Sequence, residues 1–169
     1  MSPAPPRPDA PYPDAPYPLD AVDRRLLASL QRDAKRSVAD LAAEVGLTKT
    51  PVYDRIRGLE GAGVVARYVA VVDKRRVAPR TQAFCEVTLH RQSTAHVDAF
   101  AAAVREHAEV LDCYVIGGAY DLLLRIACAD LRAYYGFVTG TVSALPNVAN
   151  TRSSFVIEEV KASTAWPVG

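Results

Sequence analysis

Five polar side chains between positions 49 and 57 have the types and spacing to hydrogen-bond a nucleic acid. Arginine and lysine can donate to a guanine edge or to a phosphate, and aspartate can accept from a cytosine amino group. One face of an α-helix would bring all five together, because the helix repeats about every 3.6 residues. The five are Lys49, Thr50, Tyr53, Asp54 and Arg57.

Their chemistry predicts different roles along this stretch. Arg57 is the best candidate for two hydrogen bonds to a guanine edge, while Lys49 can meet a base or a phosphate. Asp54 can accept from cytosine, or instead pair with Arg57 or Lys49 and orient it. Arg55 lies beside the expected apolar stripe, which favours a phosphate contact or a helix salt bridge over base reading. Each side chain could equally be a solvated surface group.

Two short helices with a tight corner would position these residues. Ser37 can cap the first helix, Gly46 can end it in the left-handed conformation, and Thr48 can cap the second. The second helix has an apolar stripe opposite its polar face, formed by Val52, Ile56 and Leu59. This pattern indicates a helix-turn-helix whose second helix could enter a major groove, although such helix pairs also occur in other all-α domains.

The surrounding sequence predicts a domain on each side of a linker. Asp20 can cap a preceding helix that carries Val22, Leu26 and Leu27 inward, and residues 64–72 are rich in valine, as in a strand. The tandem Pro-Asp-Ala-Pro-Tyr repeat indicates a mobile tail, with peptide docking as the alternative. The expected divisions are a disordered proline-rich tail (1–18), a helix-turn-helix domain (19–66), a linking strand and loop (67–80) and a second domain (81–162).

Charge is distributed unevenly along the chain. Residues 19–80 hold 13 Lys and Arg against 8 Asp and Glu, whereas residues 81–169 hold 6 against 9. A basic first module and an acidic second one fit a DNA-binding domain joined to a domain that need not approach phosphate, although the asymmetry could arise by chance. No apolar run is long enough for a membrane span, and the proline-rich amino terminus lacks the basic, then apolar, then small-residue order of a secretion signal, so we expect a cytoplasmic protein.

From Thr81 onward the hydrophobic period predicts the order βαββαβ. This order is that of a ferredoxin-like domain, with four antiparallel strands and both helices on one face, so the fold class is α+β. Phe84, Val115 and Phe155 lie on strands, and we expect the open sheet face to be covered by a second copy of the chain. Three separated cysteines argue against a disulfide framework or a zinc site, and we expect no metal and no cofactor.

The loop Gly118-Ala119-Tyr120-Asp121 is a candidate site for a small ligand. Its glycine allows close backbone approach, its N–H groups can hold a carboxylate, and Asp121 could face an amino group. The alternative is an ordinary hairpin in which Asp121 is a turn residue.

Five stretches in order resemble the Lrp/AsnC family of bacterial transcription regulators, from about Leu19 to Lys161. In the first domain they are Leu19-Asp-x-Val-Asp-x-x-Leu-Leu27, Leu41-Ala-x-x-Val-Gly-Leu-Thr48 and Val52-x-x-Arg-Ile-x-x-Leu-Glu-x-x-Gly-Val-Val65. In the second domain they are Val115-x-x-Gly-x-Tyr-Asp-x-Leu-Leu124 and Val148-x-x-Thr-x-Ser153. The resemblance implies an amino-terminal helix-turn-helix that binds double-stranded DNA at pseudo-palindromic sites, and a carboxy-terminal effector domain.

The resemblance also implies a small-molecule effector, usually an amino acid, bound between effector domains, and dimers that often form larger rings such as octamers. Thr151 and Ser153 match polar positions that family members bring to the ligand region. The chain departs from the commoner pattern at Gly117 and Ala119, so the ligand and its necessity stay open. The alternatives are a ligand-independent chromatin-organising DNA-binding protein and a decarboxylase of the tetrapyrrole-modifying type, but we expect a nucleoid-associated regulator and not an enzyme.

Overall fold

The computed structural model describes residues 16–77 and 81–168, which form two compact units. One unit contains the residues up to Val71 together with those from Lys161 onward, and the other is Val72–Val160. The predicted tail lies outside the described residues except for positions 16–18, which form neither helix nor strand.

The first unit contains three helices whose ends are fixed by local hydrogen bonds. They are α1 (Ala21–Arg32), α2 (Val38–Val45) and α3 (Lys49–Gly61). Asp20 accepts from the backbone N–H of Asp23 at 2.8 Å while Asp23 accepts from that of Asp20 at 3.2 Å, which forms a capping box. Ser37 caps α2, and Gly46 ends it at a φ of 75°, as the sequence predicts. Thr48 precedes α3 without a side-chain cap bond.

The apolar sides of these helices meet in one core. Leu26 of α1, Leu41 of α2 and Val52 of α3 are all at most 1% exposed. Helical spacing alone predicts that these three residues point inward. Their burial in one core confirms the predicted packing of the helix-turn-helix.

The predicted linking strand is not found in the structure. Residues 66–73 have no strand assignment, and Val69, Val71 and Val72 are more than 60% exposed. A strand requires ladder hydrogen bonds to a neighbour, and within the described ranges of this single chain no strand lies beside this segment. The predicted loop that follows is partly helical, as α4 (Lys74–Val77).

The carboxy-terminal segment packs against α1 in the first unit. The Gln31 side chain donates to the Trp166 carbonyl at 3.0 Å and accepts from the Trp166 N–H at 2.6 Å. Arg24 Nη1 donates to the Val168 carbonyl at 2.9 Å. The first unit is therefore built from both ends of the described chain, which the sequence did not predict.

The second unit contains a four-stranded antiparallel sheet in the order β2-β3-β1-β4. The strands are β1 (Thr81–Leu89), β2 (Val110–Val115), β3 (Leu122–Cys128) and β4 (Val148–Phe155). Two helices, α5 (Thr94–Arg105) and α6 (Leu131–Phe137), complete the βαββαβ order, and a π-helical turn, Val138–Val142, extends α6. The predicted α+β class, with a helix-turn-helix and a ferredoxin-like domain, is confirmed.

Both helices cover the same face of the sheet. Cys85 and Val87 of β1 and Leu124 of β3 are fully buried beneath Phe100 of α5 and Tyr134 of α6. The two cysteines on β1 and β3 are buried, the one on β2 is half-buried, and all three are free thiols. Burial raises the pKa of the Cys85 thiol.

The prediction for the open sheet face is wrong at two of three positions. Phe155 pairs with Ala83, and Val115 pairs with Leu122. Ala83 and Leu122 are buried on the helix side, and paired residues point to the same face of a sheet, so Phe155 and Val115 also lie on the helix side. Of the three, only Phe84, which follows Ala83 on β1, lies on the open face. That face also carries an ion pair between Arg125 and Asp112. Register depends on long-range pairing, which alternation along one strand cannot fix.

Several element boundaries also differ from the predictions. The apolar residues from Ser153 to Val160 by themselves predict a strand over that range, but β4 runs from Val148 to Phe155, where it pairs with β1. Helical spacing predicts that Leu131 and Tyr135 belong to the inward stripe of α6, but they are 59% and 69% exposed. The residues of this helical segment that are buried against the sheet are Tyr134, Val138 and Val142.

Candidate functional site

Helix α3 presents one apolar face to the core and one polar face to the solvent. Val52, Ile56 and Leu59 are buried against α1 and α2, which fixes the rotation of α3 about its axis. That rotation leaves the predicted nucleic-acid-binding side chains exposed together. They are Lys49, Thr50, Tyr53, Asp54 and Arg57.

Arg57 contacts an aromatic neighbour on this exposed face. Its Nη1 donates to the Tyr53 hydroxyl at 3.3 Å, and its guanidinium carbon lies 5.7 Å from the centre of the Tyr53 ring. The sequence left open an ion pair of Asp54 with Arg57 or with Lys49. Among the described residues, Asp54 forms neither pair.

Arg55 holds α3 against the start of α1. Its Nη1 donates to Asp20 at 2.6 Å and to Asp23 at 2.8 Å. The Asp23 backbone N–H and then Arg55 lower the pKa of the Asp20 carboxyl, while Asp23 and Asp20 raise the pKa of Arg55. Of its two predicted roles, the structure forms a salt bridge, and this salt bridge joins α3 to the start of α1.

Glu44 organises a second polar junction, between α1 and α2. It accepts from Ser29 at 3.0 Å and from Arg32 at 3.1 Å, and it pairs with Arg36. The hydrogen bond from Arg36, followed by that from Ser29, lowers the pKa of Glu44. Local spacing in the sequence does not reveal this cluster, because Ser29 and Glu44 are 15 positions apart.

The candidate effector loop leads directly into β3. Gly118 and Ala119 are exposed, and Tyr120 is half-buried. Asp121 Oδ2 accepts from the Leu89 N–H at 2.7 Å, and the Asp121 N–H donates to Val87 O at 3.0 Å. The carboxylate therefore helps to hold the end of β1 in place.

Thr151 and Ser153 lie on β4, across β1 from this loop. Thr151 is in register with Val87, the residue that accepts from the Asp121 N–H, so the structure brings Thr151 and the loop to the same end of the sheet. Thr151 Oγ1 lies 3.1 Å from Ser143 Oγ, an exposed partner that no sequence pattern predicts.

Ser153 lies deeper, beneath α6. Its hydroxyl accepts from the Tyr134 hydroxyl at 2.6 Å, and burial raises the pKa of Tyr134 to about 12. Ser153 is thus bonded inside the domain, whereas Thr151 is nearer the surface.

Over the described ranges, no three His, Cys, Asp or Glu side chains are grouped so as to hold a metal ion. In the same part of the chain, no helix has the length and apolar character needed to cross a membrane.

Family models match both units of the chain. The AsnC-type helix-turn-helix domain matches residues 19–60, and the Lrp/AsnC ligand binding domain matches residues 82–166. This chain belongs to the Lrp/AsnC family. It is accordingly a DNA-binding transcription regulator with a ligand-binding domain.

Full-length relatives agree with membership of the Lrp/AsnC family. The chain is 36% identical to the leucine-responsive regulatory protein of Salmonella typhimurium, over 86% of this chain and 88% of that protein. It is 39% identical to the proline dehydrogenase transcriptional activator of Rhodobacter capsulatus, over 84% and 92%. Among solved structures, a Neisseria meningitidis transcriptional regulator in complex with L-Met has a TM-score of 0.83 and 34% identity, over 89% and 97%.

Proposed function

We propose that this regulator binds specific DNA sites through the exposed face of α3 and responds to an amino acid bound by its second unit. The observation that carries the proposal is the orientation of α3, whose buried stripe leaves Lys49, Thr50, Tyr53, Asp54 and Arg57 free to enter a major groove.

Within this face, Arg57 donates to a guanine edge, and Lys49 at the start of the helix contacts a base or a phosphate. Arg55 supports the interface from behind, because its pairs with Asp20 and Asp23 hold α3 against α1. Any phosphate contact by Arg55 is secondary to that positioning role.

The amino-acid effector is supported by what is known of the relatives. One is named for its response to leucine, one activates proline dehydrogenase transcription, and one was solved with L-Met. In this chain the ligand would bind between second units, near Gly118, Ala119, Tyr120, Asp121 and Thr151, with Ser153 supporting the site from beneath α6. Loop N–H groups would hold its carboxylate, and Asp121 its ammonium group.

A dimer follows from this arrangement, since a two-fold axis would present two copies of α3 to a pseudo-palindromic site. Larger rings such as octamers would place several such pairs along one DNA molecule. The open sheet face, with Phe84 at 39% exposure, is the surface proposed to meet the second copy.

A binding experiment tests the DNA and effector parts together. A DNA site is first selected from random duplexes, and its Kd is measured by fluorescence anisotropy with and without each common amino acid. Arg57→Ala should weaken specific binding by roughly tenfold or more, the usual value of a bidentate base contact. One amino acid should change the wild-type Kd.

Arg132→Ala removes the same charge from an exposed position on α6 and serves as the matched control. Equal loss in both variants would contradict the assignment of Arg57, because it would indicate only a general effect of charge. A Kd that no amino acid changes would favour a ligand-independent DNA-organising protein.

A further inference from the structure

Tyr53 and Arg57 form a pair on the exposed face of α3. They are four residues apart, so their side chains lie one above the other along the helix. The hydrogen bond of 3.3 Å and the ring-to-guanidinium distance of 5.7 Å place Arg57 beside the phenol ring. Tyr53 is still 48% exposed, so its ring keeps accessible surface.

The acidic neighbours of Arg57 leave this pairing intact. Glu60, three positions later on α3, accepts from the Tyr68 hydroxyl at 2.8 Å. Asp54, three positions earlier, forms no ion pair with Arg57 in the described part of the chain. The guanidinium is therefore restrained by a ring and a hydroxyl, not neutralised by a carboxylate.

A restrained guanidinium is well suited to reading guanine. Arginine has five N–H donors in a rigid plane, and two of them suffice for the O6 and N7 acceptors of guanine. One bond to the Tyr53 hydroxyl leaves the others available. Since fewer rotamers must be lost on binding, an arginine held by a neighbour discriminates better than a mobile one.

We propose that Tyr53 and Arg57 act as one unit that reads a guanine with a thymine in the adjacent base pair. Arg57 donates to the guanine, Tyr53 positions Arg57, and the exposed Tyr53 ring contacts the thymine methyl group. The spacing is suitable, because residues one helical turn apart are about 5–6 Å apart and successive base pairs about 3.4 Å. This inference rests on the proposed function, since it requires α3 to lie in the major groove.

The test measures binding to the wild-type protein's selected site and to two modified duplexes. In one, 7-deazaguanine removes the N7 acceptor; in the other, uracil removes the thymine methyl group next to that guanine. The guanine is identified as the one whose replacement weakens the wild-type protein but not Arg57→Ala. The variants are Tyr53→Phe, which keeps the ring, and Tyr53→Ala, which removes it.

The wild-type protein should lose roughly tenfold in affinity with 7-deazaguanine and roughly fourfold with uracil, as expected for a base-edge contact and one buried methyl group. Tyr53→Ala should abolish the uracil effect and reduce the 7-deazaguanine effect. Tyr53→Phe should retain the uracil effect and reduce only the 7-deazaguanine effect.

A uniform loss of affinity in Tyr53→Ala, with both base effects unchanged, would overturn the inference and leave Tyr53 a merely structural residue. So would a wild-type site without thymine beside the guanine. Failure of the proposed function gives a different result, because Arg57→Ala would then bind selected and scrambled duplexes as the wild-type protein does.

Discussion

Asp121 has one observed role, a hydrogen bond within the sheet domain, and one proposed role, binding of the ligand. One carboxylate oxygen accepts from the Leu89 N–H at 2.7 Å and so holds the end of β1. The charge of the same carboxylate is what the proposed site offers to a ligand's ammonium group. The two roles can be separated, because a hydrogen bond to an N–H requires an acceptor but no charge.

Asp121→Asn should therefore weaken amino-acid binding while it preserves the fold. Loss of a charged hydrogen-bond partner costs about 1.5–3 kcal/mol, so Kd should rise by roughly tenfold or more. In a thermal-shift titration, the wild-type protein at a ligand concentration of about 100 Kd gains about 2.7 kcal/mol. The variant should gain about half as much at that concentration.

Asp98→Asn, an exposed position on α5, is the matched control for this titration. An unchanged ligand Kd in Asp121→Asn would assign Asp121 to strand positioning alone. A variant with a strongly lowered melting temperature without ligand would show that the amide fails to replace the carboxylate at Leu89.

At the scale of the elements, two glycines in the helix-turn-helix have opposite backbone requirements. Gly46 lies at a φ of 75°, a conformation that other residues rarely adopt, and it sets the corner between α2 and α3. Gly58 lies inside α3, where glycine is a poor helix former. A Cβ added at either position would meet no other part of the described chain within 4 Å, so steric crowding does not decide either substitution.

Gly46→Ala should destabilise the first unit by about 1–2 kcal/mol, because alanine in the left-handed region strains the backbone. Gly58→Ala should stabilise it by up to about 1 kcal/mol. Urea unfolding followed by far-UV circular dichroism measures both shifts, because the first unit is built from the helices α1, α2 and α3. Shifts of the same sign in both variants would contradict the backbone explanation.

The helix-turn-helix was predictable because its determinants are local. Asp20, Ser37 and Gly46 act within a few residues of where they stand, and Val52 and Ile56 follow helical spacing. The resemblance to the Lrp/AsnC family added the ligand region of the ferredoxin-like domain.

The remaining features depend on partners that are distant in sequence. The faces of Val115 and Phe155 are set by register with β3 and β1, which alternation within one strand does not reveal. The bonds of Glu44 and of Tyr134 likewise join separate elements. The same holds for the six residues predicted to bind DNA. Only the three-dimensional structure shows that Arg55 differs from the other five, because it is bonded to Asp20 and Asp23.

At the scale of the whole molecule, the chain leaves the first unit after Val71 and rejoins it from Lys161. The Gln31 amide makes both hydrogen bonds to the backbone of Trp166, and Arg24 donates to the Val168 carbonyl, so two side chains of α1 hold the returning segment. This segment follows β4 in the chain, the strand that carries Thr151.

Gln31→Ala should loosen the carboxy-terminal segment around Trp166 without unfolding α1, although Arg24 still holds Val168. Loss of two hydrogen bonds at about 1 kcal/mol each should speed exchange of the Trp166 amide, which donates to Gln31, by roughly ten- to thirtyfold. Hydrogen–deuterium exchange with peptide-level mass spectrometry measures this, and Gln92→Ala, an exposed position, is the control. Unchanged exchange in the carboxy-terminal peptide would show that the Gln31 bonds do not secure the segment.

The same return of the chain limits how family members can be recombined. An effector domain grafted from a relative at position 71 would bring a foreign carboxy-terminal segment to the face of α1 that now bonds Trp166 and Val168. A functional chimaera therefore needs two junctions, near Val71 and near Lys161, so that the DNA-binding unit keeps its own last residues.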